Sequence, residues 1–99
     1  MRIFSRKTIR AFWEEEPLSE NALKAWYEVV EKASWNNHNE LKEQFRNASI
    51  IDEHRVVFNI HGNKFRLIVD IEYRPKWVFV VWIGSHSSYD KIDVKTYKT

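Results

Sequence analysis

Arg55-Val56-Val57-Phe58-Asn59-Ile60-His61-Gly62-Asn63-Lys64-Phe65-Arg66-Leu67-Ile68-Val69-Asp70 reads as two strands and the turn that joins them. Apolar and polar residues alternate over Arg55–Ile60 and again over Lys64–Tyr73. Gly62-Asn63 suits a two-residue hairpin turn, because both residues tolerate positive φ. That turn sets the register, and the register sorts the side chains. Ile60 falls opposite Phe65, Phe58 opposite Leu67 and Val56 opposite Val69, all on one face. The other face pairs His61 with Lys64, Asn59 with Arg66, Val57 with Ile68 and Arg55 with Asp70. The last is an opposite-charge cross-strand pair, which favours this register. A three-residue loop would set Phe58 opposite Arg66 and mix the faces.

Beyond the hairpin, Pro75 breaks the chain. Trp77–Ile83 is a nearly continuous apolar run, which predicts a strand covered on both sides. Gly84 is read as its end. Ser85-His86-Ser87-Ser88-Tyr89-Asp90-Lys91 follows, and Asp93–Thr99 reads as a polar tail.

Before the hairpin the signals are helical. Met1–Phe4 is a candidate short strand. Ser5 suits an N-cap, with Phe4 and Ile9 in staple positions. Ile9, Phe12 and Trp13 mark one face, and Pro17 ends that helix. Ser19 repeats the signature with Leu18 and Leu23. Leu23, Trp26, Tyr27 and Val30 form a helical stripe that predicts a helix to about Ala33. Trp35–His38 reads as a loop and Glu40–Arg46 as a short helix with Leu41 and Phe45 one turn apart. These stripes are read as core. The whole predicts an α+β domain over residues 1–99, with N-terminal helices packed on one face of an antiparallel or mixed twisted sheet. The opposite face is expected to be partly polar and concave.

Composition narrows the function classes. The chain has 99 residues and no cysteine, so neither a disulfide framework nor a thiolate metal site is available. Nothing resembles a signal peptide or a membrane span, which points to the cytoplasm. The net charge of +2 is modest. Residues 1–50 carry eight Lys/Arg against eight Asp/Glu; residues 51–99 carry eight against six, with three of the four His. An anion site is therefore expected in the second half.

Two groups there carry chemistry. Asn59, His61, Lys64 and Arg66 gather near one end of the hairpin on the polar face. Arg presents a fork of donors to phosphate and Lys a point charge, so the group reads as a phosphate clamp. A solvated sheet face with gatekeeper charges is the plain alternative. The second group is His86 and Tyr89, three residues apart, which one helical turn would place together. His transfers protons near neutral pH, and Tyr stacks on a base or positions a hydroxyl. A capped turn with Tyr89 packed is the alternative there. No tight ligand spacing supports a metal at His61 and His86. Together the groups supply what RNA cleavage needs without metal or cofactor: activation of a 2′-OH, cations for the transition state, and a proton for the leaving oxygen.

At this point the residues resemble a known family. Val57–Ile68 resembles the "vFNIgGNkyRLi" segment of HigB-type toxins, and Ser85–Lys91 resembles their terminal "tHaeYDk" segment. Ser34-Trp35 through Phe45 is similar to the family's Trp-containing stretch before the sheet. The resemblance covers about residues 1–95. It implies a RelE-like fold, a ribosome-dependent messenger-RNA endonuclease and a cognate HigA-type antitoxin with a helix-turn-helix. It also implies that Asn59, Lys64 and Arg66 bind or stabilise phosphate and that His86 and Tyr89 act at the scissile linkage. His61 stands where the family often has Gly. Two other readings remain: a non-catalytic RNA- or ribosome-binding module, which needs no titrating group at position 86, and a structural interaction domain, in which Lys64 and Arg66 are replaceable.

Overall fold

The hairpin adopts the register that its faces require. In the computed structural model, which describes residues 1–98, β3 (Arg55–Ile60) pairs antiparallel with β4 (Phe65–Glu72). Ile60 lies opposite Phe65, Phe58 opposite Leu67, Asn59 opposite Arg66 and Arg55 opposite Asp70. The turn differs from the expectation. The ladder stops at Ile60 and Phe65, so His61 and Lys64 belong to the connection. Positive φ falls on His61 (54°) and Gly62 (63°), not on Gly62 and Asn63. The Lys64 N–H donates to the His61 carbonyl and closes the turn.

The chain runs β1 (Arg2–Phe4), α1 (Arg6–Glu15), a 3-10 turn at Pro17–Ser19, α2 (Glu20–Lys32), α3 (His38–Gln44), β2 (Ser49–Ile50), β3, β4, β5 (Trp77–Ser85) and α4 (His86–Tyr89). The five strands lie in the order β1-β5-β4-β3-β2. β1 joins β5 in parallel and every other pair is antiparallel, so the sheet is mixed.

One face carries the core. Ile9 and Trp13 of α1, Leu23, Trp26 and Val30 of α2, and Leu41 of α3 pack with Val56, Phe58, Ile60, Phe65, Leu67, Val69, Ile71 and Val78. Burial of such side chains contributes about 1.5–3 kcal/mol each. Aromatic rings fix the contacts edge-on: Trp26 on Phe58 at 5.5 Å, Phe45 on Phe58 at 4.9 Å and Phe12 on Phe65 at 5.5 Å.

Several local expectations are corrected. α3 begins at His38, because the Asn37 side chain accepts from the Glu40 N–H and caps the helix two residues early. Leu18 is 61% exposed and staples nothing; the buried Ser19 hydroxyl donates to the Glu16 carbonyl, closing the preceding turn. The Ser5 side chain makes no capping bond. β5 continues through Gly84 to Ser85 and is not covered on both sides: Trp77 and Phe79 are exposed. The register of β5 on β4 shifts between Ile68/Trp82 and Val69/Val80, leaving Val81 as the extra residue of a β-bulge. Strict alternation from Trp77 would put Ile83 on the second face; the bulge puts Trp82 and Gly84 there.

That second face is not an open polar surface either. Val57 and Ile68 at its centre are buried. Of the segment read as a polar tail, Val94 and Tyr97 lie against it, offering their carbonyls to Arg55; Thr99 lies outside the described residues. Among the described residues no helix is long and apolar enough to cross a membrane.

Candidate functional site

The site forms where β3, β4 and β5 end together. Asn59 on β3 lies opposite Arg66 on β4, and Arg66 lies opposite Gly84 on β5. Register thus sets Arg66 in the middle of a three-strand row. One step on, Phe65 lies opposite Ser85, and the His86 N–H donates to the Lys64 carbonyl at 2.9 Å. That bond joins the start of α4 to the end of the hairpin.

α4 is a single turn, and its sequence accounts for it. The Ser85 hydroxyl accepts from the Ser88 N–H at 3.1 Å, the N-cap arrangement that starts a helix. Ser85 Oγ also bonds the Ser88 hydroxyl at 3.0 Å. Tyr89, one turn after His86, folds back over the row, with the Arg66 guanidinium carbon 5.9 Å from its ring centre. This is within cation–π range. Trp82 lies 6.3 Å from Tyr89, centre to centre. The Trp82 indole itself crosses Gly84: a Cβ built on Gly84 would stand 2.3 Å from two of its ring carbons. Gly84 is therefore a space for the ring, not a strand terminator.

The charges are partly committed. Arg66 Nη1 donates to the Asn63 carbonyl at 3.1 Å and the Phe65 carbonyl at 3.2 Å. These two carbonyls steady the side chain, and Asn59 across the ladder does not bond it. Nε and Nη2 have no partner among the described residues. The Lys64 ammonium, the Asn59 amide and the His61 ring likewise make no hydrogen bond or ion pair among the described residues, and all three are exposed. His86 Nε2 stands 3.4 Å from Asp90 Oδ2, with about half of the His86 side chain open to solvent. Burial pushes the Tyr89 phenol above its ordinary value; the Arg66 charge opposes that shift and Asp90 adds to it. Tyr89 therefore carries its proton at neutral pH.

All the residues singled out in the sequence lie at this end of the sheet. His61 is the outlier, at the tip of the turn. Sequence reasoning missed Trp82 and the true use of Gly84, because both depend on the bulge at Val81. It also missed a mostly polar cleft of about 460 Å³ beside Asn59, lined by Gln44–Ala48, Phe58, Gly62 and Asn63. The cleft exists because β2 pairs only with Val56 and Val57, leaving the outer edge of β3 uncovered beyond them. Among the described residues no group of three or more His, Cys, Asp or Glu side chains is placed to share a metal ion.

The HigB_toxin family, described as the RelE-like toxic component of a toxin-antitoxin system, matches residues 19–92. That span takes in α2, α3, the whole hairpin, β5 and α4. No curated protein matches the chain.

Proposed function

The chain belongs to the HigB_toxin family of RelE-like toxins, and from that premise we propose that it is an endoribonuclease that cuts translated messenger RNA on the ribosome. It acts as one toxin domain, in the cytoplasm, and a HigA-type helix-turn-helix antitoxin neutralises it. The observation that supports this most is the meeting of α4 with the hairpin end, where the His86 N–H bonds the Lys64 carbonyl and Tyr89 lies over Arg66. Two cations and two proton-transfer groups share one small surface.

The reaction is transesterification within the RNA. The 2′-oxygen attacks the adjacent phosphorus, and the bond from phosphorus to the 5′-oxygen breaks. The products are a 2′,3′-cyclic phosphate and a 5′-hydroxyl. The free Nε and Nη2 donors of Arg66, with Lys64, stabilise the extra charge on the phosphorane-like transition state. His86, open to solvent, takes the 2′-OH proton. Tyr89, held as a phenol by burial, gives its proton to the leaving 5′-oxygen and is reprotonated from solvent. Asn59 and His61 contact the flanking backbone.

The modest charge supports ribosome dependence. A net +2 gives weak hold on free RNA, because that affinity comes from many phosphate contacts. A codon already held in the ribosome removes much of the cost of orientation. The test is to incubate purified protein with free message and with translating ribosomes, then determine the product ends. Cutting is expected only with ribosomes, leaving a cyclic phosphate, and it should fail at a 2′-deoxy or 2′-O-methyl site. Equal cutting of free message, or a 3′-hydroxyl product, would overturn the proposal. In cells, expression without the antitoxin gene should stop growth by blocking translation, and co-expression should restore it.

A further inference from the structure

Among the described residues Arg55 is the one charged side chain that is buried, at 2% exposure, and the site does not contain it. It sits on the second face of the sheet, at the end of β3 away from the turn. Nε and Nη2 donate to the two carboxylate oxygens of Asp70 at 2.8 and 2.9 Å. Nη1 reaches past the sheet, donating to the Val94 carbonyl at 3.0 Å and the Tyr97 carbonyl at 2.5 Å. One guanidinium thus joins the hairpin to the C-terminal segment.

Between that anchor and the site the chain is short and built mostly of turns. The Asp90 N–H donates to the His86 carbonyl, the Lys91 N–H to Ser88 and the Ile92 N–H to Tyr89. The Tyr97 N–H then donates to the Asp93 carbonyl, and the Asp93 carboxylate accepts from the Lys95 N–H. Turns run from Ser85 to Ile92 and again from Asp93 to Tyr97. α4 itself has no buried residue and only four residues, far below the length at which a helix holds by itself. The His86–Lys64 bond secures its first residue. Its far end needs a second attachment, and the turns lead that attachment to Arg55.

We propose that Arg55 is a positioning residue: with Asp70 it straps the C-terminal segment across the second face and so holds Tyr89 over Arg66 and His86 at the hairpin end. Arg55 is buried while the Asp70 side chain stays about one third exposed, and desolvation of the guanidinium offsets much of the attraction between them. What the fork adds is placement. It binds carboxylate and two backbone carbonyls in one plane, which neither an apolar side chain nor lysine can do. The role in cutting rests on the proposed function; the strap itself does not.

Two variants of the full protein test it: Arg55→Lys, which keeps the charge beside Asp70 and loses the fork, and a chain ending at Asp93, which keeps the Arg55–Asp70 pair and removes the strap. Amide hydrogen exchange at His86 is read against Phe58 and Leu67 in the hairpin. The His86 amide is expected to exchange at least about tenfold faster in both variants, with the hairpin amides unchanged. The Tyr89 phenol, followed by NMR, should titrate closer to an ordinary tyrosine as it leaves its buried place. Cutting of ribosome-bound message should fall at least about tenfold, with little change in the amount of ribosome bound. Exchange at His86 equal to the parent's in both variants would overturn the strap. Faster exchange with undiminished cutting would overturn the positioning role. If Arg55→Lys does not fold, the shortened chain decides by the same measures. If the parent itself does not cut RNA, the proposed function fails while exchange and titration still judge the strap.

Discussion

Arg66 can be removed at small cost to the fold, and that makes it the sharpest probe of the site. Arg66 is partly exposed and its guanidinium hydrogen-bonds only the carbonyls of Asn63 and Phe65. Arg66→Ala is expected to change stability by about 0.5–1.5 kcal/mol, the scale of one or two partly exposed hydrogen bonds, while abolishing toxicity. A variant that melts like the parent and still arrests growth would take Arg66 out of the site. Gly84→Ala works in the opposite way. The added methyl collides with the Trp82 ring, and overpacking of that kind costs about 1–3 kcal/mol. The expected outcome is a folded protein with lower melting temperature, changed Trp82–Tyr89 contact and lost cutting. Thermal melts with a ring-to-ring nuclear Overhauser measurement check it. At this scale the sequence was enough to single out five of the residues that the structure gathers at one end of the sheet. Asn59, Lys64, Arg66, His86 and Tyr89 were legible because their types are unusual beside apolar strands. Trp82 was not legible, since a tryptophan in an apolar run looks like core until the bulge is known.

Elements respond according to what holds them. The hairpin is held by its buried face, so Phe58→Ala should cost roughly 3–5 kcal/mol and lose activity through unfolding. α4 is held by a cap and its two attachments. Ser85→Ala removes the bond from the Ser88 N–H, worth about 0.5–2 kcal/mol to a helix start. Because α4 buries nothing in the core, that loss should leave the global melt nearly unchanged and reduce cutting. A large fall in melting temperature would mean that α4 supports the whole fold. The hairpin was readable because register is local: a turn and a period of two suffice. The start of α3 was misread by two residues, since Asn37 and Glu40 cap it within the stretch taken for a loop. β5 was misread as doubly covered, because an apolar run does not say how much of its length the neighbouring segments reach.

The molecule as a whole shows its packing in its tyrosines. Tyr73 at the end of the sheet is half-buried, and its hydroxyl meets His38 Nδ1 at 2.5 Å. His38 Nε2 lies 2.9 Å from the Asp52 carbonyl, which only accepts, so Nε2 carries the hydrogen and Nδ1 receives the Tyr73 proton. This bridge joins α3, the turn after β4 and the turn before β3. Burial, with Glu40 nearby, pushes Tyr73 up from 10.0 to about 12. The folded state therefore prefers the phenol. The stabilisation is complete below about 10, the unfolded value, and is lost as pH rises through about 12. Ultraviolet titration should show a late tyrosine ionisation that Tyr73→Phe removes, and that variant should lose less stability than the parent over the same alkaline window. An ordinary ionisation for all four tyrosines would contradict the packing described.

By itself the sequence determined the helical core stripes, the hairpin register and the residues gathered at one end of it. Each of those rests on spacing along the chain: a helical repeat, a strand alternation, or a turn whose length leaves one way to bury Phe58, Phe65 and Leu67 together. The parallel docking of β1 on β5, the bulge that turns Trp82 toward Tyr89, and the strap tied down by Arg55 were decided by tertiary structure. They depend on which distant segments meet. Arg55 and Asp70 were legible as a cross-strand pair, but nothing near them in sequence tells that the remaining donors of the guanidinium would go to Val94 and Tyr97. Buried polar groups take whatever partners the fold brings within reach, and that reach is a property of the folded chain.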